Sequence, residues 1–223
     1  MASASVETAS GPSCGALLLD ALGAQGSAAH PWSAAAASGA SATASRDLAD
    51  LIHHLCVLHG RYPGLVDHAA MRVTDPPARA WLANASYAFA GERAFLARLS
   101  VAAGPVPSTP GSAGSDAALL GQRQAMETLA RSERNGCALG AAIALVLDWA
   151  VIRRALDAAA ARFGVETPDF AGGDSGRLIA LADRFATSGP AQRALLFGAT
   201  QVFHQHYGLW DLLEARRQAR AAV

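Results

Sequence analysis

The stretch CALGAAIALVLDWAVI, residues 137–152, is the most apolar part of the chain and most constrains its fold. Its uncharged part is well short of the ~20 residues that cross a bilayer, and Asp148 interrupts it. A helix that is apolar on all sides must be surrounded by other structure. The stretch therefore predicts a central, buried helix in a protein without a membrane span.

The rest of the chain favours helices and shows no convincing strand pattern. We expect an all-α, single-domain helical bundle of about five to seven helices around the apolar central helix. Helical signals run from residue 116 to residue 163, which is too long for one straight helix in a compact domain, so a break is predicted at Asn135–Gly136. Residues 1–44, rich in Ala, Ser and Gly, are expected to be partly disordered or loosely packed, and residues 45–223 to form the bundle.

Charge and cysteine content narrow the class of protein. The 18 basic residues, all arginine, balance 18 acidic residues and form no basic cluster, so nucleic acid is not the expected partner. The three cysteines are scattered and odd in number, which is typical of reduced thiols in the cytoplasm. The N-terminus has no basic region of a secretory signal, and the expected location is cytoplasmic.

The segment VFHQHYGLW, residues 202–210, contains a His-x-His pair that suggests a metal ligand. Successive residues of a helix are rotated by 100°, so His204 and His206 lie about 200° apart and cannot hold one ion. His206 falls between Val202 and Leu209 on the apolar stripe, whereas His204 falls on the opposite face. We therefore predict a buried His206 and an exposed His204.

The same geometry places five polar side chains on inward faces of four helical regions. Imidazoles and carboxylates that converge from several helices are typical ligands of iron or manganese in a bundle core. A metal of this kind could activate dioxygen or peroxide, which would make the protein oxidoreductase-like. The predicted metal ligands are His59, Glu92, Glu133, Asp148 and His206.

Haem is the second choice of cofactor, with His59 or His206 as its axial ligand. The small-residue step from Gly136 to Gly140 would let a flat macrocycle approach the backbone.

Each of the five residues could instead have a purely structural role. The histidines could be a core histidine bonded to a carbonyl or carboxylate, or a helix-end histidine, and the carboxylates could be paired with arginine. The chain also has no Glu-x-x-His, the motif of carboxylate-bridged metal bundles. The alternative function is a cofactor-free scaffold or binding protein for a protein partner or an apolar small ligand. The oligomeric state stays open.

Overall fold

The computed structural model describes residues 11–39, 43–170 and 173–222. This part of the chain contains nine α-helices, one 3-10 turn at Ser27–Ala29 and no strand. The all-α class is confirmed, but the predicted number of five to seven helices was too low. The helices are α1 (Cys14–Gln25), α2 (Pro31–Ser38), α3 (Ala44–His59), α4 (Leu65–Arg72), α5 (Pro76–Ala103), α6 (Ser112–Ala130), α7 (Cys137–Phe163), α8 (Ser175–Phe185) and α9 (Gly189–Ala221).

Helix α7 is the centre of the bundle and packs against each of the other eight helices. Every residue from 137 to 149 is buried, including Asp148. This confirms the central helix that the apolar stretch predicts. No helix among the described residues is long and apolar enough to cross a membrane.

Short polar and glycine signals set the helix boundaries. The Asp75 carboxylate accepts the backbone N–H of Ala78 at 3.0 Å and begins α5, and Ser188 caps α9 in the same way. Gly136 has φ +105°, a backbone conformation that residues other than glycine rarely adopt, and it separates α6 from α7. The predicted break in the 116–163 region is therefore confirmed.

The N-terminal segment is more ordered than its composition predicts. Residues 14–38 form α1, the 3-10 turn and α2, and Leu18 and Trp32 are buried in the common core. Residues 14–38 are thus packed on the bundle, since α1 packs on α8 and α9 and α2 packs on α7. Most helical stability in proteins comes from such packing and not from residue propensity. The expectation for residues 1–10 and 40–42 lies outside the described residues.

Helices α7 and α9 cross at unusually close range through two glycines. A Cβ atom added at Gly140 would lie 2.0 Å from the Leu195 carbonyl oxygen, and one added at Gly198 would lie 2.1 Å from the Cys137 carbonyl oxygen. Both contacts are with backbone, which cannot swing aside as a flexible side chain can. The two glycines therefore fix how closely α9, which carries His206, approaches α7, which carries Asp148.

Candidate functional site

His206 and Asp148 face each other in the core, where both side chains are fully buried. His206 Nδ1 lies 2.7 Å from Asp148 Oδ2. Ser27, in the 3-10 turn, donates its backbone N–H to Asp148 Oδ1 at 2.8 Å and its hydroxyl to Oδ2 at 2.6 Å. Three donor groups therefore converge on the Asp148 carboxylate, and His206 Nδ1 carries the hydrogen that it donates to Oδ2.

His59, at the end of α3, completes a hydrogen-bonded row. Its Nε2 lies 3.1 Å from His206 Nε2, and its ring meets Trp149 edge-on with the centroids 5.2 Å apart. Burial, together with the adjacent His206, holds the pKa of His59 well below its ordinary value of 6.5. His59 is therefore neutral near pH 7. We call Asp148, His206 and His59 the histidine centre.

The proton positions in the histidine centre follow from these bonds. Because His206 gives its Nδ1–H to Asp148, the Nε2 of a neutral His206 is an acceptor. His59 then supplies the hydrogen between the two Nε2 atoms. The two Nε2 atoms point at one another, and the space between them holds one proton.

Glu92 is buried next to this centre but has its own partners. Trp149 Nε1–H donates to Glu92 Oε2 at 2.8 Å, and Arg153 Nη1 donates to Oε1 at 2.7 Å. Burial raises the pKa of Glu92, and the bonds from Trp149 and Arg153 oppose that rise. Glu92 therefore serves as the counter-charge of a buried arginine.

The five predicted ligands are not brought to one point. His206, Asp148, His59 and Glu92 are buried as predicted, but Glu92 is occupied by Trp149 and Arg153, and Glu133 is exposed just before the Gly136 break. Among the residues that the structure describes, no group of three or more His, Cys, Asp or Glu side chains is arranged to hold a metal ion. The arrangement therefore differs from the expected five-ligand shell, because helix-face geometry gives the direction of a side chain and not its height or partners.

The haem prediction depended on room above the Gly136–Gly140 step. Helix α9 occupies that room, with the Leu195 backbone against Gly140 and the Ala191 carbonyl oxygen 2.8 Å from where a Cβ of Gly136 would lie. These glycines therefore allow the close approach of helix α9. The site as folded does not fit a haem at this step.

The apolar-ligand alternative has a candidate pocket elsewhere. A cavity of about 190 Å³ lies between α5, α7 and α8, with Trp81, Phe89 and Phe170 among its walls and Asn84 and Arg177 among its polar residues. Phe89 links this cavity to the neighbourhood of the histidine centre, because its ring packs on Trp149 at 5.2 Å between centroids and Trp149 contacts His59.

A second buried polar group ties the start of α3 to the end of α9. Arg216 donates to Asp50 at 3.0 Å, and Arg220 donates to Asp47 at 2.8 Å and also to Asp50. His54 lies beside this group and is buried. Its Nδ1–H donates to the Asp50 carbonyl at 2.7 Å, and its buried Nε2 has no partner among the described residues.

His54 makes the stability of the fold dependent on pH. Burial lowers its pKa below 6.5; the nearby Asp50 and Asp116 oppose this shift, and Arg216 adds to it. Below pH 6.5 the unfolded chain binds the proton more readily than the folded chain, so stability falls as pH falls. We expect the loss of unfolding free energy between about pH 7.5 and about pH 5.5 to be smaller in His54→Gln, measured by urea denaturation.

His204→Gln is the control for this experiment, because His204 is exposed. The control should keep the full pH dependence of the wild-type protein. An unchanged pH dependence in His54→Gln would contradict the role given to His54.

The comparison with known sequences places the chain in a family. The model of a family of unknown function, DUF6975, matches residues 22–221, and the chain belongs to that family. No curated protein and no solved structure matches the chain. The matched span includes Ser27, His59, Asp148 and His206, so the whole centre lies within the family's domain.

Proposed function

We propose that the histidine centre binds one divalent transition-metal ion through the Nε2 atoms of His59 and His206. The observation that carries the proposal is the 3.1 Å separation of these two atoms in the core. Bonds of about 2.0–2.1 Å from both atoms to one ion would span this distance at an angle of about 100°. Such an angle lies between octahedral and tetrahedral geometry. Because the two Nε2 atoms face each other, both rings would have to turn so that their lone pairs converge on the ion, and the hydrogen of His59 would have to move from Nε2 to Nδ1.

Asp148 supports the same proposal from outside the coordination shell. A metal-bound histidine commonly donates its other N–H to a carboxylate, which fixes the ring and raises the basicity of the ligand. His206 donates Nδ1–H to Asp148 at 2.7 Å, and Ser27 holds that carboxylate with two further bonds. The negative charge of Asp148 would also offset part of the charge of the ion.

The donor set favours some ions over others. Imidazole suits iron, zinc, nickel and copper, whereas manganese prefers carboxylate, carbonyl and water ligands. With Glu92 and Glu133 outside the centre, iron becomes the first ion to test and manganese the less favoured one. Because no third protein ligand is arranged there among the described residues, water or a small exogenous ligand would have to complete the coordination shell.

Isothermal titration of tag-free protein tests the proposal. The metal affinity is measured with Fe(II) under anaerobic conditions and with Zn(II). We expect one ion per chain in the wild-type protein and no binding in His206→Ala or His59→Gln. Asp148→Asn should bind about 10–100-fold more weakly, since it removes the carboxylate that orients His206. Circular dichroism checks that each variant retains its helices.

His204→Ala is the matched control, because it removes an exposed histidine from the same helix two residues away. It should bind the ion as the wild-type protein does. The proposal would be refuted if wild-type protein bound less than a tenth of an equivalent of metal. It would also be refuted if His204→Ala and His206→Ala lost metal affinity equally.

A further inference from the structure

A second surface of the protein carries a partly exposed aromatic ring flanked by arginines. Phe197, on α9, is 44 % exposed, and a surface groove lies on each side of it. Arg134 lines both grooves, with its guanidinium carbon 5.7 Å from the centre of the Phe197 ring. We call the two depressions, bounded by Arg131, Arg134 and Arg193, the Phe197 groove.

The charge of the Phe197 groove is uniform although the chain as a whole is neutral. No carboxylate is among the residues that line either half of the groove. Within the described part of the chain, Arg131, Arg134 and Arg193 have no carboxylate within 4.0 Å, in contrast to arginines such as Arg153 and Arg216. Three exposed arginines therefore line the groove, and among the described residues none of them is paired with a carboxylate.

The N-terminal ends of α9 and α7 add to the positive charge of the groove. The N-cap of α9, Ser188, and Pro190 in its first turn line one half of the groove, and the first residue of α7, Cys137, lines the other. The N-terminal end of a helix carries a partial positive charge. Between the arginines the walls are apolar, with Ala194 in one half and Leu129 in the other.

We propose that the Phe197 groove binds an acidic segment of a partner protein, with carboxylates against the three arginines and an apolar side chain against Phe197. Aromatic residues and arginine are enriched where proteins bind one another, and complementary charge steers such partners together. A nucleic acid fits less well, since its phosphates call for a longer basic track than three arginines between apolar walls. The site does not involve the histidine centre, so the two proposals can fail separately.

Fluorescence anisotropy tests this proposal with a labelled short peptide in which glutamates flank one leucine and one tryptophan. We expect saturable binding to the intact protein that weakens as salt is raised. Phe197→Ala and Arg134→Gln should each weaken binding about tenfold or more, as the loss of an interface anchor does. The same peptide with lysine in place of glutamate should not bind.

Two controls match these variants in chemistry but lie outside the groove. Tyr87→Ala removes an aromatic side chain that is 86 % exposed, and Arg79→Gln removes an exposed arginine of the same helix, α5. Both controls should bind the peptide normally. Absence of peptide binding, equal losses in the controls, or tighter binding of a single-stranded DNA oligonucleotide than of the peptide would overturn the proposal.

Discussion

Replacement of Glu92 with alanine is expected to lower the free energy of unfolding by about 3 kcal/mol, as measured by urea denaturation. The substitution removes the buried carboxylate that accepts Arg153 at 2.7 Å and Trp149 at 2.8 Å. Arg153, only 6 % exposed, would keep its charge in the core with less compensation. Asp157 and the Pro168 carbonyl still accept from Arg153, so the expected loss lies at the lower end of the range for a broken buried pair.

Two further variants separate this explanation from a general loss of packing. Asp157→Ala removes the second carboxylate that pairs with Arg153. Because the Asp157 side chain is 44 % exposed, its loss should lower the free energy of unfolding by no more than about 1 kcal/mol. The double variant Glu92→Leu with Arg153→Met removes both charges and should recover most of the lost stability. If Glu92→Ala were as mild as Asp157→Ala, Glu92 would not be the main counter-charge of Arg153.

Replacement of Gly198 with alanine is expected to destabilise the fold by about 2–3 kcal/mol, seen as a lower midpoint in thermal or urea unfolding. The new Cβ would lie 2.1 Å from the Cys137 carbonyl oxygen, so α7 and α9 would have to separate. Gly140→Ala adds a Cβ on the α7 side of the same crossing, 2.0 Å from the Leu195 carbonyl oxygen, and should destabilise the fold similarly. Because this crossing sets the approach of His206 to Asp148, both variants should also weaken the metal binding proposed for the histidine centre.

Glycines in open helix positions provide the control. Gly91 in α5 and Gly121 in α6 have no atom within 4 Å of an added Cβ. Alanine at either position should stabilise the protein by up to about 1 kcal/mol, since glycine is a poor helix former. Wild-type stability in Gly198→Ala would mean that the two helices are not held at the distance described here.

Much of the fold could be predicted because its signals are local. The apolar stretch around Leu145 predicts the central helix, and Asp75 and Gly136 mark helix boundaries through capping and positive φ. The packing of the N-terminal helices could not be predicted, because Ala, Ser and Gly give no clear apolar face there. Leu18 and Trp32 show that this segment gains its order from contacts with the rest of the bundle.

The candidate site was predictable only in part. Helical rotation correctly places His206, Asp148 and Glu92 in the core and His204 on the surface. Rotation does not give the height of a residue along its helix or the offset between helices, so it could not separate Glu92 from the histidines. Ser27 gave no signal at all, because its role depends on a turn in the segment that sequence composition marks as loose.

The coordination of an ion bound to the wild-type protein tests the central claim most directly. X-ray absorption spectroscopy of protein loaded with one equivalent of Fe(II) or Zn(II) should show imidazole nitrogens at about 2.0–2.2 Å, with the outer-shell scattering of two histidine rings. The imidazole signal should disappear in His206→Ala and persist in His204→Ala. A shell of oxygen atoms without histidine scattering, or a signal that His206→Ala leaves unchanged, would contradict a metal site at His59 and His206.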